Sequence, residues 1–307
     1  MFDYRYHALS LAAVLLALAV GVVIGVAIGD SNLVSSAKNG IVHNLQSEVS
    51  GAQRQVGELQ TQLRGEETFS NDLYPIAVHG LLSGRNVGLV FLGGSSNHID
   101  GLVRDAVTQG GGDLATVVAV REPLDLMGIG REAVGTRYAA LGDEQPPEAT
   151  AAAEEGTQLV QQFGALVGRQ LVSGGASVNK ELLSRARGRL LTAFDGQLGK
   201  LEGLVLVRSD PTGMLPAQTK ASAAFESGLL EGLAAVGIPT VGVELSSTEP
   251  SQISWYQSKD VSSVDDLDMT AGQAALIYAL TGSHGAYGTK PTADSLLPNV
   301  VGASAQP

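Results

Sequence analysis

The stretch RNVGLVFLGGSSNHIDGLVRDAVTQGGGDLATVVAV (Arg85–Val120) decides the fold of this chain. Arg85–Gly94 carries an unbroken apolar run closed by glycines, which is typical of a buried strand. In Asn97–Gln109 the apolar side chains recur at helical spacing, and Leu114–Val120 is a second apolar run. A strand, a helix and a strand in this order predict two parallel strands joined by a right-handed crossover.

The chain beyond Val120 continues to alternate helices with strands. Two helices are predicted first, as a helical insertion, one beginning near Pro147 and the other near Asn179–Lys200. The elements predicted after them are the strand Leu201–Ser209, the helix Ala217–Val236, the strand Pro239–Leu245 and a helix from Thr270 to Leu280 opened by a capping box of Thr270 and Gln273. This pattern predicts an α/β fold, a Rossmann-like parallel-sheet domain with both sheet faces covered.

A heptad repeat precedes this domain in residues 31–73. β-Branched residues at the first apolar position of each heptad and leucine at the second favour a parallel two-stranded coiled coil. The alternative is an amphipathic helix packed on its own domain. The apolar positions of the repeat, predicted to form a dimer interface, are Val42, Leu45, Val49, Ala52, Val56, Leu59 and Leu63.

The segment ALSLAAVLLALAVGVVIGVAIG (Ala8–Gly29) has no charged side chain over 22 residues. About 20 apolar residues span a bilayer as a helix, so residues 1–30 are predicted to be a transmembrane signal anchor. A cleaved signal peptide is the alternative, although its apolar stretch is usually shorter. Arg5 before the helix and Asp30 after it predict a cytoplasmic N-terminus and an extracytoplasmic C-terminal domain.

Three glycines recur every four residues in this segment. Such spacing places them on one helix face, where small residues let two membrane helices approach closely. The alternative is that glycine is simply common in membrane helices. The residues added in this way to the predicted dimer interface are Gly21, Gly25 and Gly29.

The composition excludes several classes of function. The net charge of −12 comes without a basic cluster, which argues against a nucleic-acid partner. The chain has no cysteine, and its five histidines and four methionines are dispersed, so no cofactor or metal site is predicted. Asp265, Asp266 and Asp268 could hold a hard cation, or they could be a charged strand end leading into the last helix.

Two loops are candidates for contact with a ligand or a partner. The turn containing Gly93, Gly94, Ser95 and Asn97 lies between a strand and a helix, where backbone N–H groups can bind an anion. Alternatively, Ser95 or Asn97 is simply the helix N-cap. The second loop, Ser283–Gly288 with His284 and Tyr287, is either a turn or a partner contact. No nucleotide-binding or hydrolase motif is present, so no catalytic residue is predicted and the protein is not expected to be an enzyme.

Two terminal motifs resemble a known family. RYHALSLAAVLLALAVGVVIG (Arg5–Gly25) and VDDLDMTAGQAALIYALTGSHGAYG (Val264–Gly288) are similar to the two ends of the mycobacterial copper transport protein B (MctB) family, and RNVGLVFLGG fits as well. The resemblance implies an actinobacterial cell-envelope protein involved in copper homeostasis or efflux, with a proposed outer-membrane pore. It also implies a role in cell separation, as the membrane half of a two-protein system.

These observations predict a single-pass, membrane-anchored homodimer. Residues 1–30 anchor it, 31–73 form a stalk, 74–290 form the extracytoplasmic α/β domain and 291–307 form a flexible tail. The expected function is that of a non-enzymatic scaffold that docks another protein of the envelope or the cytoplasmic membrane. The alternatives are a pore-forming copper transport component, a membrane partner in cell separation, or a binding module for an anionic envelope ligand.

Overall fold

The structure is a computed structural model that describes residues 4–29, 31–143, 151–173, 178–197, 200–210 and 212–299. The chain divides into two compact units, Met1–Thr68 and Phe69–Pro307. The predicted loop Glu144–Thr150 and the last residues of the predicted tail, 300–307, lie outside the described residues.

The first unit contains α1 (Tyr4–Ile28) and most of α2 (Ser31–Val78). Within α1, Arg5–Ala27 has a mean hydropathy of 2.8 and none of it is buried. By length and composition this helix is able to cross a membrane, although a signal sequence near the N-terminus would pass the same test.

Helix α2 presents an apolar stripe that its own chain leaves half exposed. The exposed fractions of these side chains lie between 51 % for Leu59 and 60 % for Leu63. The stripe also contains Leu45, Val49 and Val56, while the side chain of Val42 is outside the described part of the chain. Pairing of α2 with a second copy stays a prediction.

The second unit is built on a seven-stranded sheet with the strand order β3-β2-β1-β4-β5-β6-β7. All neighbouring strands are parallel except β2 and β3, which are antiparallel. The strands are β1 (Asn86–Leu92), β2 (Asp113–Val120), β3 (Leu191–Gly196), β4 (Gly203–Arg208), β5 (Thr240–Val243), β6 (Ser262–Val264) and β7 (Ala286–Tyr287).

Helices cover both faces of this sheet and enclose two hydrophobic cores. One core lies under α3, α9 and the end of α2, where Tyr74 and Val78 are buried. The other core lies under α7, α8 and the helices that connect β2 to β3. The helices are α3 (Asn97–Gln109), α4 (Leu126–Glu132), a 3₁₀ helix (Arg137–Gly142), α5 (Ala151–Ser173), α6 (Val178–Leu190), α7 (Pro216–Ala234), α8 (Ile253–Ser258) and α9 (Thr270–Leu280).

Strand β3 corrects the prediction of one helix over Asn179–Lys200. The helix ends at Leu190, and the chain turns into an antiparallel edge strand beside β2. The strand is held at its end by Thr116, whose hydroxyl donates a hydrogen bond to the carbonyl of Gln197. The spacing of the apolar residues alone predicted a longer helix, because Phe194 keeps the helical spacing of the residues before it although it lies in the strand. Leu198, which keeps the same spacing, is outside the described residues.

Two predicted helix caps are also wrong. The N-cap of α3 is Ser96, whose hydroxyl accepts from the N–H of Ile99 at 3.4 Å, rather than Ser95 or Asn97. The N-cap of α9 is Met269, and the side chain of Thr270 instead donates to Asn71 Oδ1 at 2.6 Å. This bond ties the start of α9 to the end of α2.

Helices α5 and α7 cross at glycines so closely that their backbones touch. A Cβ atom on Gly228 would lie 1.8 Å from the carbonyl oxygen of Gln161, and one on Gly232 would lie 2.3 Å from that of Ala165. Gly164 and Gly168 have equally close neighbours on α7. Small residues permit such crossings. The contact fixes α7 over the sheet, and with it a buried glutamate described below.

Candidate functional site

The carboxyl edge of the parallel strands is where α/β sheets bind ligands, at the point where the strand order reverses. In this sheet β2 follows β1 on one side and β4 lies on the other, so that point is between β1 and β4. Their last residues, Leu92 and Arg208, lie opposite each other. The groups around Arg208 therefore form the first candidate site.

Arg208 makes a buried ion pair with Glu226 of α7. Its Nε donates to both carboxylate oxygens of Glu226 at 3.2 Å, and the side chains are 11 % and 2 % exposed. Its Nη1 donates to Gln252 Oε1, and its guanidinium carbon lies 4.7 Å from the ring centre of Trp255. These contacts hold the guanidinium in one position.

A second glutamate lies against this pair. Burial and the charge of Glu226 raise the pKa of Glu122 to about 7, although the charge of Arg208 acts in the opposite direction. Burial also raises the pKa of Glu226, and Arg208 opposes this shift. The two carboxyl groups interact and the pKa of each is raised, so we expect the pair to retain a proton near neutral pH.

The polar network continues along the edge to β5. The Oε1 atom of Glu244 accepts from Lys290 Nζ and from Ser251 Oγ, each at 2.6 Å. Its Oε2 atom accepts from the backbone N–H of Gln252 at 2.6 Å, and the Gln252 side chain binds Arg208. Hydrogen bonds thus run from Glu226 through Arg208 to Lys290 along the carboxyl edge of the sheet, and we call this series, together with Glu122, the edge network.

Two of the three aspartates after β6 have separate hydrogen-bond partners. Asp265 accepts from the N–H groups of Thr289 and Lys290 at 2.8 and 3.1 Å. Asp268 accepts from the N–H and hydroxyl of Ser246, both at 2.7 Å. Within the described ranges, no group of three or more His, Cys, Asp or Glu side chains could hold a metal ion. The cation interpretation of these aspartates therefore has no support from their geometry.

Asp266 is the exception among these aspartates. It is fully buried, and neither of its carboxylate oxygens has a hydrogen-bond partner among the described residues. Burial, and then the charges of Asp265 and Asp268, raise the pKa of Asp266 to about 6. We therefore expect this side chain to gain a proton at mildly acidic pH.

The predicted turn after β1 lies beside the edge network. Gly93 is buried with φ at 103°, and a Cβ there would lie 3.1 Å from Glu122 Oε2. The positive φ favours glycine at this position, and an added Cβ would also crowd the carboxylate of Glu122. Gly94, Ser95 and Asn97 are exposed. The adjacent carboxyl pair is unfavourable for an anion at this turn.

The other predicted loop is divided between two environments. His284 is 63 % exposed, and its Nε2 lies 3.5 Å from Asp260 Oδ1. It lines a cleft of about 390 Å³ at the opposite, amino edge of the sheet, with Thr240 and Ser262. Tyr287 is instead in strand β7 and only 5 % exposed. The structure therefore does not bring the two predicted loops together.

The residues of the edge network were not predicted from the sequence, although a signal was present. Arg208 is the last residue of an apolar strand, Glu244 follows directly after another, and Glu122 is the second residue after a third. Polar residues at the carboxyl ends of predicted parallel strands are expected to meet at one edge. Glu226 has a weaker signal, since it only interrupts a largely apolar helix.

By its fold, the chain is a mixed α/β protein with a mostly parallel sheet, preceded by an apolar helix that is compatible with membrane anchoring. A sequence model of the MctB family, described as copper transport outer membrane protein, matches residues 1–298. The chain belongs to this family, as the terminal motifs indicated, and the family implies a function related to copper transport at a membrane. No curated protein matches the chain significantly.

Proposed function

We propose that this chain is a single-pass, membrane-anchored parallel dimer that serves copper transport as a non-enzymatic scaffold docking another envelope protein. The observation that carries the proposal is the half-exposed apolar stripe of α2. Each of its large side chains lies at a heptad position, and a second copy of the same helix would bury them.

The membrane helix supports the same arrangement. Cβ atoms added at Gly21 and Gly25 would meet nothing within 4 Å, so this face of α1 is open to a neighbouring helix. Two copies anchored in one membrane have a high effective concentration, which favours a coil that would be weak as an isolated peptide. The anchor and the stalk would then act together in pairing.

The described side chains favour a scaffold over a direct copper carrier. A copper site usually gathers thioether, thiolate or imidazole ligands. Here the chain has no cysteine. Met127 accepts from Arg131 Nη2 at 3.0 Å, and Met214 lies 3.9 Å from the hydroxyl of Ser222. Each of these two sulfurs thus accepts a hydrogen bond from a neighbouring side chain. The exposed turn at Gly94–Asn97 offers a surface for a protein partner.

Disulfide crosslinking tests the dimer. Full-length Val49→Cys and Val56→Cys variants, oxidised in native membranes, are expected to give covalent dimers because these positions face each other in a parallel coil. Arg54→Cys and Thr61→Cys, on the outer face of the same helix, are matched controls that should stay monomeric. Equal crosslinking at all four positions, or none at Val49 and Val56, would refute the pairing.

Orientation and partner are tested on the same variants. Thr61→Cys should react with a membrane-impermeant maleimide in intact cells stripped of their outer layers, which places α2 outside the cytoplasmic membrane. A tagged full-length chain crosslinked in cells should recover one protein in stoichiometric amount. Labelling only after the membrane is opened would refute the orientation, and reproducible recovery of the dimer alone would refute the scaffold.

A pore-forming copper transport component is a second candidate, because the family description places its members in the outer membrane. α1 has an apolar, glycine-lined face rather than a polar one, which is unfavourable for lining an aqueous channel. Single-channel conductance from purified full-length protein, lost on deletion of Ala8–Gly29, would favour the pore over the scaffold.

A further inference from the structure

An apolar cavity of about 340 Å³ lies between α5, α6 and the strands β2 and β3. Its wall is mostly apolar and also contains the buried side chain of Gln170, and its outer rim contains the exposed residues Ser184, Arg187 and Gln197. Small-molecule sites of about 300–1,000 Å³ are typically apolar with a few placed polar groups. The apolar wall is formed by Val118, Val120, Val167, Leu171, Leu183, Leu190, Leu191 and Phe194.

Arg187 is positioned at the mouth of this cavity. Its guanidinium carbon lies 3.6 Å from the centre of the Phe194 ring, and Phe194 lines the cavity. No carboxylate among the described residues forms an ion pair with Arg187. A guanidinium stacked on an aromatic ring keeps its N–H groups free at the edge, where they can bind a carboxylate through two hydrogen bonds.

The charge around the mouth is opposite to that of the whole chain. The net charge of the chain is −12, yet α6 carries the exposed residues Arg185, Arg187 and Arg189, of which Arg187 alone lines the cavity. Only Arg189 has an acidic partner in the described ranges, Asp125 at 3.6 Å. The one cation among the described residues at the mouth, Arg187, favours a ligand that carries a negatively charged group.

From this geometry we propose that the cavity binds a single free fatty acid, with the acyl chain against the aliphatic wall and the carboxylate on Arg187. The volume is near the lower end of the usual range, so it suits one acyl chain rather than the two of a phospholipid. Burial of the chain supplies affinity, and the charge-assisted pair at the rim supplies selectivity for the acid.

The test uses full-length protein in nanodiscs with a photoreactive sixteen-carbon fatty acid, and mass spectrometry to locate the label. Peptides from α5, α6 and β3 are expected to be labelled, and peptides from α1 provide an internal measure of acid dissolved in the bilayer. Palmitate should compete for the cavity label at lower concentration than hexadecanol, which has the same chain without the charge.

Two variants separate the chain pocket from the charged rim. Leu183→Trp, which fills the cavity, should reduce the cavity label about tenfold and leave the α1 label unchanged. Arg187→Gln should raise the palmitate concentration needed for competition about tenfold and leave hexadecanol unchanged. Arg185→Gln is the matched control, on the same helix but outside the cavity lining, and should change neither value.

Three results would overturn the proposal. They are a cavity label no denser than the α1 label, a cavity label unaffected by Leu183→Trp, and equal competition by hexadecanol and palmitate in the parent protein. Because Arg187→Gln and Arg185→Gln change exposed side chains, both are expected to fold, and their comparison is informative even if Leu183→Trp does not fold.

Discussion

Two glycine-to-alanine substitutions, one at the crossing of α5 and α7 and one on α3, are expected to change the stability of the domain in opposite directions. At Gly228 a new methyl group would lie 1.8 Å from the carbonyl oxygen of Gln161, a backbone atom that cannot rotate away. Ordinary contact begins at 3.4 Å, so the two helices would have to separate by about 1.6 Å. At Gly101 of α3 the same methyl group would meet nothing within 4 Å.

The magnitudes follow from these distances. Overpacking costs about 1–3 kcal/mol, and the rigid backbone contact at Gly228 places it near the upper limit. Alanine recovers about 1 kcal/mol of helix propensity, so Gly228→Ala should lower the free energy of unfolding by about 2 kcal/mol. Gly101→Ala should raise it by about 0.5–1 kcal/mol, because only the propensity changes.

Differential scanning calorimetry of the two full-length variants in the same detergent measures the difference. For a domain of this size, 1 kcal/mol shifts the melting temperature by about 2–4 °C, so Gly228→Ala should melt about 4–8 °C lower and Gly101→Ala slightly higher. If Gly228→Ala melts at or above the parent temperature, the close backbone contact is not present in the protein.

The remaining predictions concern the edge network and the attachment of α2. Because the pKa of Glu122 is raised from 4.5 to about 7, the folded chain keeps a proton that the unfolded chain releases, and thermal stability should fall as pH rises through this interval. Glu122→Gln should make the melting temperature less dependent on pH in this interval. The control Glu155→Gln, at an exposed position, should leave this dependence unchanged. Arg208→Ala leaves the carboxylate of Glu226 buried without its partner, so the free energy of unfolding measured in urea should fall by about 3–5 kcal/mol. A smaller loss than that of Gly228→Ala would contradict this prediction. Tyr278→Phe removes the 3.0 Å hydrogen bond that the tyrosine hydroxyl donates to the carbonyl of Ala77, and should lower the free energy of unfolding by about 0.5–1.5 kcal/mol in the same assay. No change would mean that water replaces this bond.

Much of the fold could be predicted because its strands are continuous apolar runs. β1, β4 and β5 lie within the predicted segments, β2 begins one residue before its predicted start, and the bounds of α3 and α9 match those predicted. Strands β6 and β7 have three and two residues, too few for any periodicity to indicate them. β3 was missed because an edge strand depends on the neighbour that it joins, and apolar spacing does not contain that information.

The site was less predictable because its contacts join distant parts of the chain. Arg208 meets Glu226 after 18 residues and Gln252 after 44, and Lys290 meets Glu244 after 46. Only the fold brings these side chains together. What the sequence does contain is the placement of Arg208 and Glu244 at or directly after the carboxyl ends of strands, and this signal is useful once the strand order is known.

A buried ion pair such as Arg208 and Glu226 is not by itself a reason for high stability, since well-packed apolar residues often replace such pairs without loss. If the edge network serves only the fold, the double variant Arg208→Met/Glu226→Leu should be as stable as the parent and recover the same envelope partner. We predict instead that the double variant is nearly as stable but recovers less partner, because the network lies at the strand ends where α/β sheets make their functional contacts. Unchanged recovery of the partner by a stable double variant would show that docking takes place elsewhere on the domain.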